Sequence, residues 1–336
     1  MIAFQHVSIR QKSTIGERLV VEDVSFQIEE GEIFGIAGPA GSGKSALLRT
    51  VNALERPALG DVVVDGQAVS ALSAQGLKDM RGKVGLVLPG SSLMESKPLW
   101  ENIALSVWSS PKKPEESIGR VRELLALTGL EGLENARPAS LSPEQRQRGA
   151  IARALFGNPK ILLCQEVTDR LPPASASAVL TLLKAIHQAL RITMVVSTSE
   201  LDVLKQLCSR AAIMQESKLV ELNDLYSLFS APAHPFTKEF VAQQTAFSLP
   251  EEVKEHAYGT IVSIEYIGES ANEPVLYETS QRFGVEYNIL QGRIEYIGGK
   301  ALGKMYVSFN SEPALMSSVL AYLKEATYRV EVIQHV

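Results

Sequence analysis

Cysteine is almost absent: Cys164 and Cys208 are the only thiols in 336 residues. Neither has metal-ligand spacing, and two thiols make no disulfide framework. Long hydrophobic runs are missing too. No stretch of 18 apolar residues occurs and the run at 192–196 is short, so any membrane role must come through a partner. Positive charge is not in excess, since 33 Lys and Arg stand against 38 Asp and Glu, giving a formal net charge of −5. Proteins that hold nucleic acid broadly do so with Lys and Arg on phosphates, so no nucleic-acid partner is expected. A basic segment followed by an apolar one is lacking at the N-terminus, and the chain reads as cytosolic and reduced. No internal repeat or low-complexity tract is visible. What remains is an ordinary globular composition, 45% hydrophobic and 21% charged, with a length that suggests about two domains.

Against that background one motif stands out. Gly38-Pro39-Ala40-Gly41-Ser42-Gly43-Lys44-Ser45 matches G-x-x-x-x-G-K-[ST] in full. It follows the apolar stretch 32–37 and runs into the helical pattern Ala46-Leu47-Leu48-Arg49, the strand-loop-helix setting that the motif requires. Glycines let successive N–H groups turn inward and the helix start adds partial positive charge. Lys44 is expected to reach the terminal phosphates of a nucleotide, and Ser45 to ligate Mg2+.

Elsewhere the pattern is that of an α/β protein. Residues 2–28 alternate as antiparallel strands around a polar loop at 11–17. A strand-turn pattern covers 60–66 and a buried-type strand 84–88. Residues 115–137 carry helical periodicity, with Val121, Leu124, Leu125, Leu127 and Leu130 apolar. Apolar runs at 161–164 and 192–196 flank a helix-like stretch at 174–190. Strands alternating with helices predict a mostly parallel sheet covered on both faces. The pattern loosens near 232–250. Beyond it come strand 259–268, helix 273–283, strands 285–296 and 302–309, helix 313–324 and strand 328–333, a βαββαβ order of ferredoxin-like type. A domain boundary falls near 250.

Leu141-Ser142-Pro143-Glu144-Gln145 and the helix through Leu155 resemble the signature region of ABC ATPases, and Ile161-Leu162-Leu163-Cys164-Gln165-Glu166 resembles their Walker B strand. The stretch Val51-Asn52-Ala53-Leu54-Glu55-Arg56-Pro57 is similar to the methionine importer branch. Gly268-Glu269-Ser270-Ala271, Asn288-Ile289-Leu290 and Tyr296-Ile297-Gly298-Gly299 resemble that branch's C-terminal NIL domain, an ACT-like regulatory module. The resemblance covers nearly the whole chain. It implies a P-loop ABC ATPase domain over 1–230, with antiparallel and helical subdomains, a linker over 231–255 and a NIL domain over 256–336.

It further implies ATP and Mg2+ as cofactors, held by the loop residues Gly38 to Ser45 and by Ser142 of the signature, with Glu166 as candidate general base. ABC ATPases work as head-to-tail dimers, each ATP lying between one chain's phosphate loop and the other's signature. The partners implied are a membrane permease, a substrate-binding protein acting indirectly, and methionine at the C-terminal domain, where Asn288 is the candidate contact. The implied location is cytoplasmic, peripheral on the inner face of the cell membrane. Soluble ABC proteins of translation or DNA repair carry tandem ATPase halves or coiled-coil insertions, and neither is visible here.

The same resemblance exposes departures. Arg10 and Gln11 stand where the family has an adenine-stacking aromatic. Pro89 stands at the glutamine that joins Mg2+ and water to the transporter's conformation, and proline offers neither a side-chain oxygen nor an N–H. Pro143 and Glu144 replace two signature glycines, although Ser142, Pro143 and Gln145 make a strong helix start with a capping box. Glu144 places a carboxylate where a phosphate should dock. Gln165 replaces the aspartate behind the Mg2+ water shell and cannot offset the cation's charge. Asp169-Arg170-Leu171-Pro172 replaces Ser-Ala-Leu-Asp, and Ser199 replaces the histidine that senses the γ-phosphate. His187, the nearest remaining histidine, reads as structural. The expectation is therefore an importer's ATP-binding subunit with impaired hydrolysis, the alternative being a non-hydrolysing pseudo-ATPase that acts as sensor or scaffold.

Overall fold

A computed structural model describes residues 2–13, 16–89, 92–105, 114–244 and 247–334. The chain divides into two compact units, Met1–Asp224 with Ala233–Phe240, and Leu225–Pro232 with Val241–Val336.

The first unit opens with an antiparallel hairpin, β1 (Ile2–Ser13) and β2 (Gly16–Ile28). The expected polar loop at 11–17 is mostly strand, since Gln11 pairs with Arg18 and Lys12 with Glu17. At an exposed hairpin end the ladder decides, not the weak strand propensity of polar side chains. There follow β3 (Ile33–Ala37), α1 (Lys44–Thr50), β4 (Leu59–Val64), β5 (Gln67–Ala68), α2 (Ala74–Gly82) and β6 (Val84–Val87). Next come α3 (Leu99–Ala104), α4 (Pro114–Thr128) and α5 (Pro143–Leu155), which pack on one another as a helical subdomain. Helix α4 stops at Thr128, short of the expected 137. Gly129 turns to φ +65° and the Leu130 N–H bonds the Leu125 carbonyl at 2.8 Å, a helix-ending glycine that sends Leu130 into the core as loop. The unit continues with β7 (Ile161–Gln165), α6 (Pro173–Leu190), β8 (Thr193–Thr198), α7 (Leu201–Leu207), β9 (Arg210–Gln215) and β10 (Lys218–Asp224).

The six-stranded sheet runs β10-β9-β3-β8-β7-β6 and is parallel except at β10. A second, antiparallel sheet runs β2-β1-β4-β5. Phe4 packs tilted on Phe26 at 4.6 Å between centroids, and Phe26 stacks on Phe34 at 5.2 Å, which joins that sheet to β3. All of β3 and β8 is buried, as a parallel sheet covered on both faces requires. His187 Nε2 lies 2.7 Å from the Gly31 carbonyl oxygen and ties α6 to the turn before β3.

After α8 (Leu225–Ser230), α9 (Pro235–Gln244) and α10 (Glu251–His256), the second unit builds β11 (Thr260–Ile267), α11 (Val275–Phe283), β12 (Glu286–Ile297), β13 (Lys300–Asn310), α12 (Pro313–Ala326) and β14 (Arg329–Gln334). The sheet order is β12-β13-β11-β14, all antiparallel, which is the ferredoxin-like arrangement expected. Helices α11 and α12 bury Val262, Ile264, Val307 and Phe309 on one face. On the other, Phe247 and Leu249 pack with Ile261 and Tyr306, and the Tyr306 hydroxyl donates to the Phe247 carbonyl at 2.8 Å. Among the described residues no helix is long and apolar enough to cross a membrane.

Candidate functional site

Strand β3 leads directly into the phosphate loop, where backbone crowding demands glycine. Gly38 and Gly43 have φ of +152° and +96°. A Cβ on Gly38 would lie 2.1 Å from the Met214 carbonyl oxygen, and one on Gly43 2.1 Å from that of Val20, distances that no other residue tolerates. Lys44, the first residue of α1, is 4% exposed. Its ammonium donates to the Pro39 carbonyl at 3.2 Å and lies 3.1 Å from Glu166 Oε1. Ser45 is half-buried, and Pro39, Ala40 and Gly41 are exposed. The N–H groups at a helix start have no acceptor within the helix, so this loop carries free donors beside the Lys44 cation.

Facing the loop, β7 and β8 end side by side, with Gln165 opposite Ser197. Glu166 follows at φ +43°, its N–H bonded to the Ser197 carbonyl at 2.8 Å. Ser199 donates to Glu166 Oε2 twice, from its N–H at 3.1 Å and its hydroxyl at 3.4 Å. The Glu166 carboxylate thus bridges Lys44 and Ser199. Just beyond, partial burial and then the charges of Glu166, Asp169 and Asp202 push the Glu200 carboxyl above its ordinary range, against a hydrogen bond from Thr168. Negative charge is already crowded on this side.

Three buried oxygens, Ser42 Oγ, Gln165 Oε1 and Ser197 Oγ, have no hydrogen-bond partner among the described residues. They lie at the carboxyl ends of parallel strands or in the loop that follows one, where α/β proteins bind ligands. Buried polar atoms ordinarily find partners, so these atoms fit a phosphate group and its hydrated counter-ion, apart from the missing carboxylate at Gln165.

The signature helix α5 is capped as its sequence predicts. Gln145 N–H donates to Ser142 Oγ at 3.1 Å and Ser142 N–H to Gln145 Oε1 at 2.9 Å, with Pro143 at the first helical position. The cap therefore engages both the hydroxyl and the N–H of Ser142. Glu144 pairs with Arg148 at 2.7 Å, so the misplaced carboxylate is partly offset. Sequence reading missed that pair, although a Glu and an Arg four apart on a helix are a recognisable signal. It also missed the two Ser199 donors, which only the adjacency of β7 and β8 creates.

Pro89 lies in the turn after β6, and its neighbour Gly90 falls outside the described residues. Arg10 is exposed, and Gln11 donates to Glu55 at 3.0 Å, so neither offers an aromatic face to a base. Cys164 is fully buried and its thiol is pushed up to about 12 by burial, which leaves it unreactive. Asn288 is exposed on the edge strand β12, opposite Ser308, and lines a hollow of about 560 Å³ with Tyr258, Glu286 and Asn310.

The glycine-built loop, its buried lysine and the crevice at the strand ends define a P-loop nucleotide-binding protein of the ABC ATPase class. Comparison with known proteins agrees: the ABC transporter family model matches residues 21–169 and the NIL domain model residues 260–332. "Methionine import ATP-binding protein MetN 2" of Pectobacterium atrosepticum is 40% identical over 94% of this chain and 94% of its own. "Methionine import ATP-binding protein MetN 1" of Oceanobacillus iheyensis is 40% identical over 99% and 97%. Among solved structures, the dimeric ATP-binding cassette MJ0796 in a post-hydrolysis state bound to ADP and Pi is 30% identical, with a TM-score of 0.61 over 67% of this chain and 99% of that one. The chain belongs to the methionine import family of ABC transporter ATP-binding proteins.

Proposed function

We propose that this chain is the ATP-binding subunit of a methionine-type amino-acid importer, acting on a separate membrane permease, and that its hydrolysis of ATP is impaired. The first part is supported by the family and by the intact loop from Gly38 to Ser45. In this reading the loop's N–H groups and Lys44 hold the phosphates and Ser45 holds Mg2+, whose charge would draw negative charge off the terminal phosphate. The chain acts as a dimer beside the permease on the inner face of the membrane, served indirectly by a substrate-binding protein. The second unit responds to amino acid, with Asn288 as the candidate contact.

The observation that carries the impairment is the state of Glu166. Its carboxylate is engaged by Lys44 and Ser199, and a general base must be within reach of the proton it takes. Around it, Gln165 supplies no charge, Ser199 replaces a histidine, and the cap takes up the Ser142 N–H as donor and its hydroxyl oxygen as acceptor. Removing one such stabilising group costs about 2.7–4 kcal/mol in a barrier, and the losses occur on both halves of the composite site. A homodimer carries each twice. The second reading, a pseudo-ATPase that senses amino acid or serves as a scaffold, draws on the same losses.

Equilibrium binding of a fluorescent ATP analogue to the full chain tests the retained half of the proposal. Saturable binding that Lys44→Ala removes supports a working phosphate loop; absence of binding to the unaltered chain refutes it.

A further inference from the structure

A loop of the kind formed by Gly38 to Ser45 cradles the first two phosphates of a nucleotide with backbone N–H groups, and its lysine reaches the second and third. In this chain the lysine is already matched. Lys44 Nζ lies 3.1 Å from Glu166 Oε1, and the carboxylate is tethered on its far side, where the Ser199 N–H and hydroxyl donate to Oε2 at 3.1 and 3.4 Å. The Glu166 backbone is fixed as well, through its N–H on the Ser197 carbonyl at 2.8 Å. A third phosphate at ion-pair distance from Lys44 Nζ therefore lies within about 6 Å of Glu166 Oε1, and the carboxylate cannot turn away without breaking its serine bonds.

The surroundings add negative charge. The Asp169 N–H bonds the Glu166 carbonyl at 3.0 Å, which holds a second carboxylate in the turn after Glu166, and the charges of Glu166, Asp169 and Asp202 all act on Glu200. Arg170 and Lys205 offset Asp169 and Asp202, while Glu200 has the Thr168 hydroxyl at 3.4 Å. A bound divalent ion would offset more of this charge, yet the side chains that the loop reading assigns to it are neutral. They are the Ser45 hydroxyl and, behind it, the Gln165 amide, whose Oε1 is buried without a partner. Hard cations bind more weakly as the charge of their ligand set falls. The first two phosphates depend less on such an ion, because backbone N–H groups in a concave loop take anions by themselves. Ser42, 3% exposed, adds a hydroxyl there that has no partner among the described residues.

We propose that this site selects nucleoside diphosphates over triphosphates, and does so without help from Mg2+. Two phosphates lie on the loop N–H groups, with Lys44 turned from Glu166 to the second, and the anchored carboxylate repels a third. The proposal rests on reading Gly38 to Ser45 as a working phosphate loop, and it adds which nucleotide that loop retains.

The test is calorimetric titration of the full chain with ADP, AMP and the non-hydrolysable β,γ-imido analogue of ATP, each in Mg2+ and in EDTA. ADP should bind at least about tenfold more tightly than AMP and than the triphosphate, and Mg2+ should change its affinity by less than about threefold. Glu166→Gln should narrow the preference over the triphosphate to about threefold or less, since the triphosphate gains more than ADP does. Gln165→Asp supplies the missing charge behind the ion, and should strengthen the triphosphate about tenfold in Mg2+ and not at all in EDTA. Should Glu166→Gln fail to fold, Gln165→Asp, which removes no core side chain, carries the test, with thermal unfolding as control for both. A triphosphate bound by the unaltered chain as tightly as ADP, or strengthened more than about tenfold by Mg2+, would overturn the selectivity and leave the loop reading standing. A preference that Glu166→Gln leaves at full size would overturn the part given to the carboxylate. No binding of any of the three nucleotides would overturn both the selectivity and the loop.

Discussion

The ammonium of Lys44 lies 3.1 Å from Oε1 of Glu166, with the two side chains 5% and 18% exposed. In the proposed reading, the cation that would meet terminal phosphates is thus held by the carboxylate that would act as base. A nucleotide entering the loop must exchange this pair for lysine-phosphate contacts, while Ser199 keeps hold of the other carboxylate oxygen.

Glu166→Gln should therefore bind ADP more tightly than the unaltered chain. A charged hydrogen bond of about 1.5 kcal/mol or less that no longer competes corresponds to a gain of several-fold, up to about tenfold. ADP titration keeps turnover out of the measurement. Unchanged or weaker affinity would show that the ion pair does not oppose binding.

The losses around the site are reversible if they act as argued. Pro143→Gly, Glu144→Gly, Gln165→Asp and Ser199→His combined should raise hydrolysis above the unaltered chain, read as phosphate release. The two helix-start glycines should cost stability, about 1 kcal/mol each, through backbone entropy and the lost Arg148 pair. A set that folds but shows no gain in rate would mean that these four positions do not limit turnover.

Ser142→Ala should destabilise the first unit by about 1 kcal/mol, because it leaves the Gln145 N–H without its acceptor at a helix start. Urea unfolding without nucleotide measures this. Unaltered stability would show that the Ser142 oxygen does not cap the helix.

Glu221 of β10 supplies a pH dependence. Burial alone raises its carboxyl, but hydrogen bonds from the Ala233 and His234 N–H groups, at 2.9 and 3.0 Å, and the nearby His234 outweigh it, so the net shift is downward. A carboxyl lowered in the folded state stabilises above its unfolded value and loses that contribution as pH falls through the folded one. Glu221→Gln should thus be less stable than the unaltered chain by about 1–3 kcal/mol at neutral pH, with the gap closing on acidification below pH ~4. A gap that stays constant with pH would exclude charge as the cause.

Much of the fold was legible because its signals are local. The continuous apolar run of β3, the loop glycines and the Ser142, Pro143 and Gln145 cap each specify structure within a few residues. The ferredoxin-like order after residue 259 was equally plain from alternating strands and helices. Helix α4 was over-extended because Leu130 keeps the apolar period after Gly129 has ended the helix; the core wanted the side chain, not the helical backbone. What sequence could not give at the site was partnership. Ser199 and Glu166 are 33 residues apart, and only the register of β7 with β8 places serine donors on that carboxylate.

Phosphate release from Mg-ATP is to be measured with the full chain, at a concentration high enough to favour dimers, beside Lys44→Ala. Release at most slightly faster than in the Lys44→Ala control is expected, although the unaltered chain binds nucleotide. Clear turnover that vanishes in Lys44→Ala would contradict that expectation, and would mean that Glu166 leaves Lys44 and works as a base despite Gln165, Ser199 and Pro143.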